Sequence, residues 1–449
     1  MAECLKQNQK KISLLLLLLP LLIYNCGAGE PNNEPVVPVN EIGNEWVIYE
    51  VYPGLYERGN AFSSIANRLD NIKELGVNVI WLMPIYEQGT LKAIGSPYCI
   101  KDYKKVNSDY GTLDELKSLV SKAHQKDMKV ILDWVANHTA WDNTWIQYNN
   151  WYTQDNNGNI VSPPGMNWND VADLNYDNRD MRLEMIDAMR YWVNEINIDG
   201  YRCDFAEGVP DDFWHEAIKE LKRIKGDDLL MLAEGGKASL LSNGFDMVYG
   251  WDFAYKLQDL YAGKITLSNL YETHQQEYKD IPEGKQRMRY ITNHDMASHL
   301  SPVQAFNGEM GAMSAFVIAA TLGGSPMIYS SQEIGYPTPL TFFGYTNIDW
   351  NSNQSYRSAY KKIMGIYSAS EALRKGTLRT FDNGKIATYY RKSQNEGVLI
   401  LVNTTNQTTE AKIPIEFAKE EAKSLLDNTT EKLPSVLTLA PFQYKIWKI

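Results

Sequence analysis

Carboxylates that close apolar, extended runs are where this chain could do chemistry. In the stretch Asp199–Pro210, DGYRCDFAEGVP, Arg202 stands two residues before Asp204. Along a strand, side chains two apart share a face, so these two project together while Tyr201 and Cys203 turn to the other side. An arginine fork beside a carboxylate fixes its orientation and lowers its pKa, keeping it ionised as an attacking group should be; a purely structural salt bridge would use the same two residues. Further on, LLMLAE runs from Leu229 to Glu234 and is followed by Gly235 and Gly236. A carboxyl at the end of an apolar run is expected to have a raised pKa, which suits a proton donor.

Three more runs follow the same plan. DWVANH spans Asp133 to His138, YITNHD spans Tyr290 to Asp295, and SPMIYSSQEI spans Ser325 to Ile334. A lone histidine at a strand end is usually a satisfied polar group. His138 and His294, however, each share a motif with an asparagine, and both motifs are expected on one rim.

The elements that must position these groups alternate. Strands are expected at 47–51, 79–83, 130–135, 200–204, 229–233, 245–248, 288–292 and 326–330. Helices are expected at 63–75, 113–126, 181–196, 212–225, 311–321 and 355–371. Eight strand and helix units in alternation predict an α/β protein, a (β/α)8 TIM barrel over residues 45–376, with active groups at the C-terminal ends of the strands. Residues 139–177 are too long for an ordinary connection after the third strand and read as a small inserted domain. They carry Trp141, Trp145, Trp151 and Trp168; flat aromatic faces suit sugar rings, and two of the four are expected in a local core instead. After 377 the helices stop, and short alternating runs such as 386–390, 398–402, 411–415 and 444–449 predict an antiparallel β-sandwich over 377–449 with no chemistry of its own.

Composition limits the partners. With 449 residues, a net charge of −11 and a pI near 5.2, the chain is a poor match for nucleic acid and suits a neutral or cationic substrate. Lys6, Lys10 and Lys11 precede the apolar run Ile12–Ile23, a signal-like leader that predicts export. Cys26 follows that run where a lipoprotein would be cleaved and lipidated; Asn25 before it fits that reading poorly, and ordinary cleavage after Ala28 is the alternative. The Pro-containing segment 27–44 reads as a tether. Cys99 and Cys203 are expected to be free thiols.

In the order, spacing and residue choice of these motifs, the chain from about Trp46 to its end resembles the alpha-amylase family of glycoside hydrolases. That resemblance implies a retaining mechanism, with Asp204 as nucleophile, Glu234 as acid and then base, and Asp295 as a third carboxylate that grips sugar hydroxyls. It implies that His138 and His294 bind hydroxyls, and that Tyr98, in SPYCIKDY, stacks under the sugar being cleaved. Cys99 stands where many members have an aspartate, and Asp102, Tyr103 and Asp133 read as structural support. It further implies a Ca2+ ion held by Asn137 and Asp173, with the Gly208 carbonyl helping. The chain departs from starch-cleaving members in having Glu207 and Gly208 where a lysine and histidine are common. It also has no DxNxDG loop after the first strand. The expected activity is cleavage of α-1,4-glucosidic bonds of starch, glycogen or maltodextrins by a monomer whose one membrane contact is the N-terminal lipid. The alternatives are a neopullulanase, cyclomaltodextrinase or glucan transferase of the same family, or a non-catalytic glucan-binding relative. A first strand beginning so soon after the tether speaks against the neopullulanase plan.

Overall fold

Short apolar runs become the barrel wall because a strand covered on both faces can be apolar throughout. The computed structural model describes Trp46–Ile449; the leader, Cys26 and the tether lie outside the described residues. The eight wall strands are β1 Ile48–Val51, β2 Val79–Leu82, β3 Lys129–Val135, β4 Gly200–Asp204, β5 Leu230–Ala233, β6 Met247–Tyr249, β7 Gln286–Arg289 and β8 Ser325–Tyr329. Each pairs in parallel with its neighbour in chain order, and β1 closes the barrel by pairing with both β2 and β8. All eight strands expected from sequence form.

Register then decides which side chains meet. Asp133 pairs across with Arg202, and Val135 with Asp204; Cys203 pairs with Ala233, so Glu234 follows directly beyond that level. The seventh strand ends earlier than 292, because Asn293 caps a short helix, His294–His299, by accepting a hydrogen bond from the Met296 N–H. Asp295 therefore sits on the first turn of a helix rather than at a strand end.

Most outer helices lie where the periodicity put them. Leu113–His124 starts with a capping box between Thr112 and Glu115. The expected helix at 63–75 is broken into Ala61–Ala66 and Leu69–Lys73, and 181–196 is Arg179–Tyr191 followed by a π turn, Trp192–Ile196. Between β6 and β7 the structure adds a helical hairpin, Trp251–Tyr261 and Leu267–Tyr278, that the sequence reading did not place.

Two excursions rise from the barrel. The insertion after β3 is anchored by an antiparallel pair, His138–Ala140 with Val171–Asp173. Another pair, Tyr86–Gln88 with Ile100–Val106, follows β2 and brings in Tyr98 and Cys99. Of the four tryptophans, Trp145 is buried on Tyr103 (4.8 Å, 27°), and Trp151 packs edge-on against it. Trp168 lines a cleft, while Trp141 lies under the Lys92 ammonium and donates to the Asn169 carbonyl.

Beyond the barrel lie β9 Thr377–Phe381, β10 Ile386–Lys392, β11 Gly397–Asn403, β12 Thr409–Lys412, β13 Glu421–Ser424, β14 Thr430–Lys432, β15 Val436–Leu439 and β16 Tyr444–Lys448. They form an antiparallel sheet in the order β9-β10-β11-β16-β13-β14 and a separate β12-β15 pair. Leu399, Leu401 and Trp447 of the large sheet share one core with Ala411 and Leu439 of the pair. Arg391 of β10 ties this unit to the barrel. It is fully buried and donates to the carbonyls of Leu322, Ala372 and Leu373. Cys99 and Cys203 are both buried, free thiols.

Candidate active site

The site grows from one guanidinium inside the barrel mouth. Alternation along β4 sends Arg202 and Asp204 inward together, and Arg202 Nη1 donates to Asp204 Oδ1 at 3.0 Å and to Asp133 Oδ1 at 2.7 Å. Its Nη2 lies 2.9 Å from Glu234 Oε2, and its Nε donates to the Tyr249 hydroxyl at 3.1 Å. One fully buried cation thus serves three carboxylates from three neighbouring strands. Asp133 is fully buried and also accepts from Trp81 Nε1 and the Tyr98 hydroxyl, both at 3.1 Å. It is a hub beneath the site rather than a rim residue.

One electrostatic expectation, for Asp204, and one expectation of surroundings, for Glu234, need correction. Arg202 does oppose protonation of Asp204, but burial and then the charge of Glu234 outweigh it and hold the Asp204 carboxyl well above the usual carboxylate range. Glu234, for its part, does not lie in an apolar setting: its Oε2 accepts the Phe205 N–H at 2.6 Å and faces Arg202. That amide is aimed by backbone strain, since Phe205 adopts a left-handed conformation (φ 42°, ψ 45°) directly after Asp204. The physical reason for the first is that one positive charge does not neutralise three close anions, so burial and the charge of Glu234 prevail over Arg202 at Asp204. The second follows from the Phe205 amide and Arg202 closing on Glu234.

The other predicted residues converge on the same space. Tyr98 stacks on His294 (5.4 Å, 25°) and its hydroxyl lies 2.9 Å from His294 Nε2. His294 Nε2 is 3.4 Å from Asp295 Oδ1. Burial alone would depress His294, but Asp295 and Glu50 raise it to about 9, so it is a cation at neutral pH. His138 has no such partner, and burial lowers it to about 4, leaving a neutral imidazole. Tyr98, His138, Asp204, Glu234, His294 and Asp295 line one cleft of about 290 Å³. Arg202 lies beneath its floor.

Sequence reasoning missed part of this cleft. Ile94, Phe205, Phe342 and Phe343 were not anticipated as walls, whereas Trp168 was among the four tryptophans offered for that role. Trp168 is edge-on to both His138 and Phe205, and Phe342 is edge-on to Tyr98 and His294. Glu50 was missed too, although a glutamate inside the apolar run IYEV was a legible sign of a buried charge with a partner.

Gly208 lies against Asn137, and Asp173 belongs to the strand paired beside it. A Cβ on Gly208 would lie 2.9 Å from Asn137 Oδ1, and Asp173 pairs across the insertion with His138, next to Asn137. Burial raises the Asp173 carboxyl. Among the described residues no three His, Cys, Asp or Glu side chains cluster as a metal site. A cation here would rely on one carboxylate plus amide and carbonyl oxygens, a donor set that suits Ca2+.

Eight parallel strands closed on themselves, with an acidic cluster at their C-terminal ends, define the class: a (β/α)8 barrel with a site of the kind that cleaves glycosidic bonds. The alpha amylase catalytic domain profile matches residues 51–160 and 165–427, and the chain belongs to the alpha-amylase family. Among relatives, it is 25% identical over 387 residues to the alpha-amylase MalA of Haloarcula japonica, covering 82% of this chain and 56% of that one. It is also 25% identical over 376 residues to a cyclomaltodextrinase of Thermoanaerobacter pseudethanolicus, covering 78% and 64%. The crystal structure of the maltogenic alpha-amylase AmyB from Thermotoga neapolitana superposes with a TM-score of 0.81 at 27% identity, covering 90% of this chain and 98% of that one. An alpha-amylase from Lactobacillus plantarum gives 0.80 at 28%, with the same coverage.

Proposed function

We propose that the chain is a retaining hydrolase of α-1,4-glucosidic bonds in starch, glycogen or maltodextrins. Asp204 is the nucleophile, Glu234 the acid and then the base, and Asp295, His138 and His294 hold sugar hydroxyls over the Tyr98 ring. The observation that carries this reading is the shared guanidinium: Asp204 and Glu234 sit on adjacent amino groups of Arg202 and line one cleft, the arrangement from which a retaining pair, about 5 to 5.5 Å apart, can flank one glycosidic bond. The aromatic walls suit the apolar faces of glucose rings. Product analysis tests it. Amylose should yield short maltooligosaccharides released as α-anomers, whereas β-anomers would overturn the mechanism. Faster turnover of cyclodextrin than of amylose would favour the cyclomaltodextrinase reading, which the similarity to that group supports.

Two accessory readings go with it. One Ca2+ ion would join the insertion to the barrel through Asn137, Asp173 and the Gly208 carbonyl. A cation bound only by the folded chain must stabilise it. We therefore expect Tm to fall in EDTA and to recover with calcium but not with an equal ionic strength of sodium; an unchanged Tm would rule the site out. The leader and Cys26 support export with a lipid anchor, and Cys26→Ala should move the protein from the membrane pool to the soluble pool on fractionation.

A further inference from the structure

A buried glutamate stands behind the catalytic cleft without a role in the reaction just described. Glu50 belongs to β1, the strand farthest along the chain from the other acidic groups, and is fully buried. Its Oε1 meets His294 Nδ1 in a short hydrogen bond, and its Oε2 has no hydrogen-bond partner among the described residues.

The proton positions follow from counting donors. Tyr98 has one hydroxyl hydrogen for two neighbours, Asp133 Oδ2 at 3.1 Å and His294 Nε2 at 2.9 Å, and because the charged carboxylate is the stronger acceptor we assign that hydrogen to Asp133. His294 Nε2, 2.9 Å from the same hydroxyl oxygen and 3.4 Å from Asp295 Oδ1, must then carry a hydrogen of its own. At the other ring nitrogen, Nδ1 faces Glu50. Charge decides between a neutral pair and an ion pair there. The groups that face His294 are Glu50 from β1, Asp295 from its own helix, Tyr98 from the excursion after β2, and, through longer-range charge, Asp133 from β3 and Asp204 and Arg202 from β4. Tyr249 and Tyr329 face Glu50 as neutral phenols. With Glu234 the mouth holds five carboxyl groups and one guanidinium, so a second cation is strongly favoured, and His294 is the basic side chain placed to supply it.

We propose that Glu50 is a positioning residue: its carboxylate holds the Nδ1 proton of His294, keeping the ring an imidazolium whose Nε2–H points at the sugar position between Tyr98 and Asp295. Through Tyr98 the same line of hydrogen bonds continues to Asp133, then Arg202, and ends on Asp204. Glu50 thereby sets the charge of the hydroxyl-binding wall from outside the substrate's reach. This inference rests on the glucan-hydrolase reading for its consequence, although not for its geometry.

The test compares wild type with Glu50→Gln, which keeps an oxygen acceptor for Nδ1–H but removes the negative charge. In protein labelled at histidine, with the His294 resonance assigned through His294→Asn, the His294 titration should move toward acid by about one pH unit or more, the usual effect of losing an adjacent opposite charge. This readout needs no substrate, so an unchanged titration overturns the proposal whatever the enzyme hydrolyses. The second readout is glycosylation by maltosyl fluoride, whose leaving group does not need Glu234 as a proton donor. Its alkaline limb should shift by the same amount in Glu50→Gln, with rates near wild type at pH 6; a uniform loss at every pH would mean a merely structural role and would refute the assignment. Should Glu50→Gln fold poorly, Glu50→Asp, which retains the charge, should keep the alkaline limb in place, and a shifted limb in that variant would count against the charge argument.

Discussion

Asp204→Asn should abolish turnover of every substrate, by about 10⁴-fold or more, because no group remains to form the covalent glycosyl-enzyme. Glu234→Gln should behave differently. On natural glucans it should lose about 10² to 10⁴-fold, the worth of a positioned proton donor. With maltosyl fluoride the first step survives, since fluoride leaves without a proton, and the second step stalls for want of a base. A glycosyl adduct should accumulate and be found by mass spectrometry on the peptide that contains Asp204. The geometry makes this a sharp test, because both carboxyls meet Arg202 within 3.0 Å or less and either one could be imagined as nucleophile from charge alone. An adduct on Glu234, Asp295 or Asp133 would show that these roles are wrongly assigned.

Arg202→Met should damage stability as well as activity. Arg202 is fully buried, and removing it strands Asp133, Asp204 and Glu234 without their common cation. Breaking such a buried pair costs about 3 to 5 kcal/mol, and a multi-unit chain should report this as a lowered Tm. The loss should depend on pH. The Asp204 and Asp133 carboxyls already stand above their ordinary range, through burial first of all, and without Arg202 they would stand higher still. A carboxyl whose folded pKa exceeds its unfolded value costs nothing below the unfolded pKa and costs most above the folded one. The Tm gap between Arg202→Met and wild type should therefore be small near pH 4 and widen toward pH 7. A gap equal at all pH values would mean that lost packing, not stranded charge, is responsible. Arg202→Lys should recover little, because one ammonium on a flexible stem cannot reproduce a fork that meets three carboxylates and a phenol at once.

The contrast between what was legible in the chain and what was not has a physical basis. Strand ends, alternation and motif order are local properties. Short apolar runs alternating with helical segments predicted the eight-stranded barrel. The polar groups that follow several of them marked Asp204, Glu234, Asp295, His138 and His294 as rim candidates, and the family resemblance supplied their roles. The pairing of Arg202 with Asp204 was equally legible, because two residues on one strand share a face whatever surrounds them. Element ends were less so: the seventh strand stops at Arg289 because Asn293 begins a helix, a competition that periodicity does not register.

Charge was decided only by the tertiary structure. Whether Arg202 lowers the pKa of Asp204 depends on how many other carboxyls reach the same guanidinium, and Asp133 and Glu234 arrive from strands 69 positions earlier and about 30 positions later in the chain. The setting of Glu234 likewise depends on a strained turn at Phe205, whose amide no reading of LLMLAE could supply. Glu50 shows the limit most clearly. In sequence it is one acidic residue in an apolar strand, 244 positions from His294. Only closure of β1 onto the rest of the barrel brings the two into contact, and the cost of leaving a buried carboxylate without a cation explains why they meet.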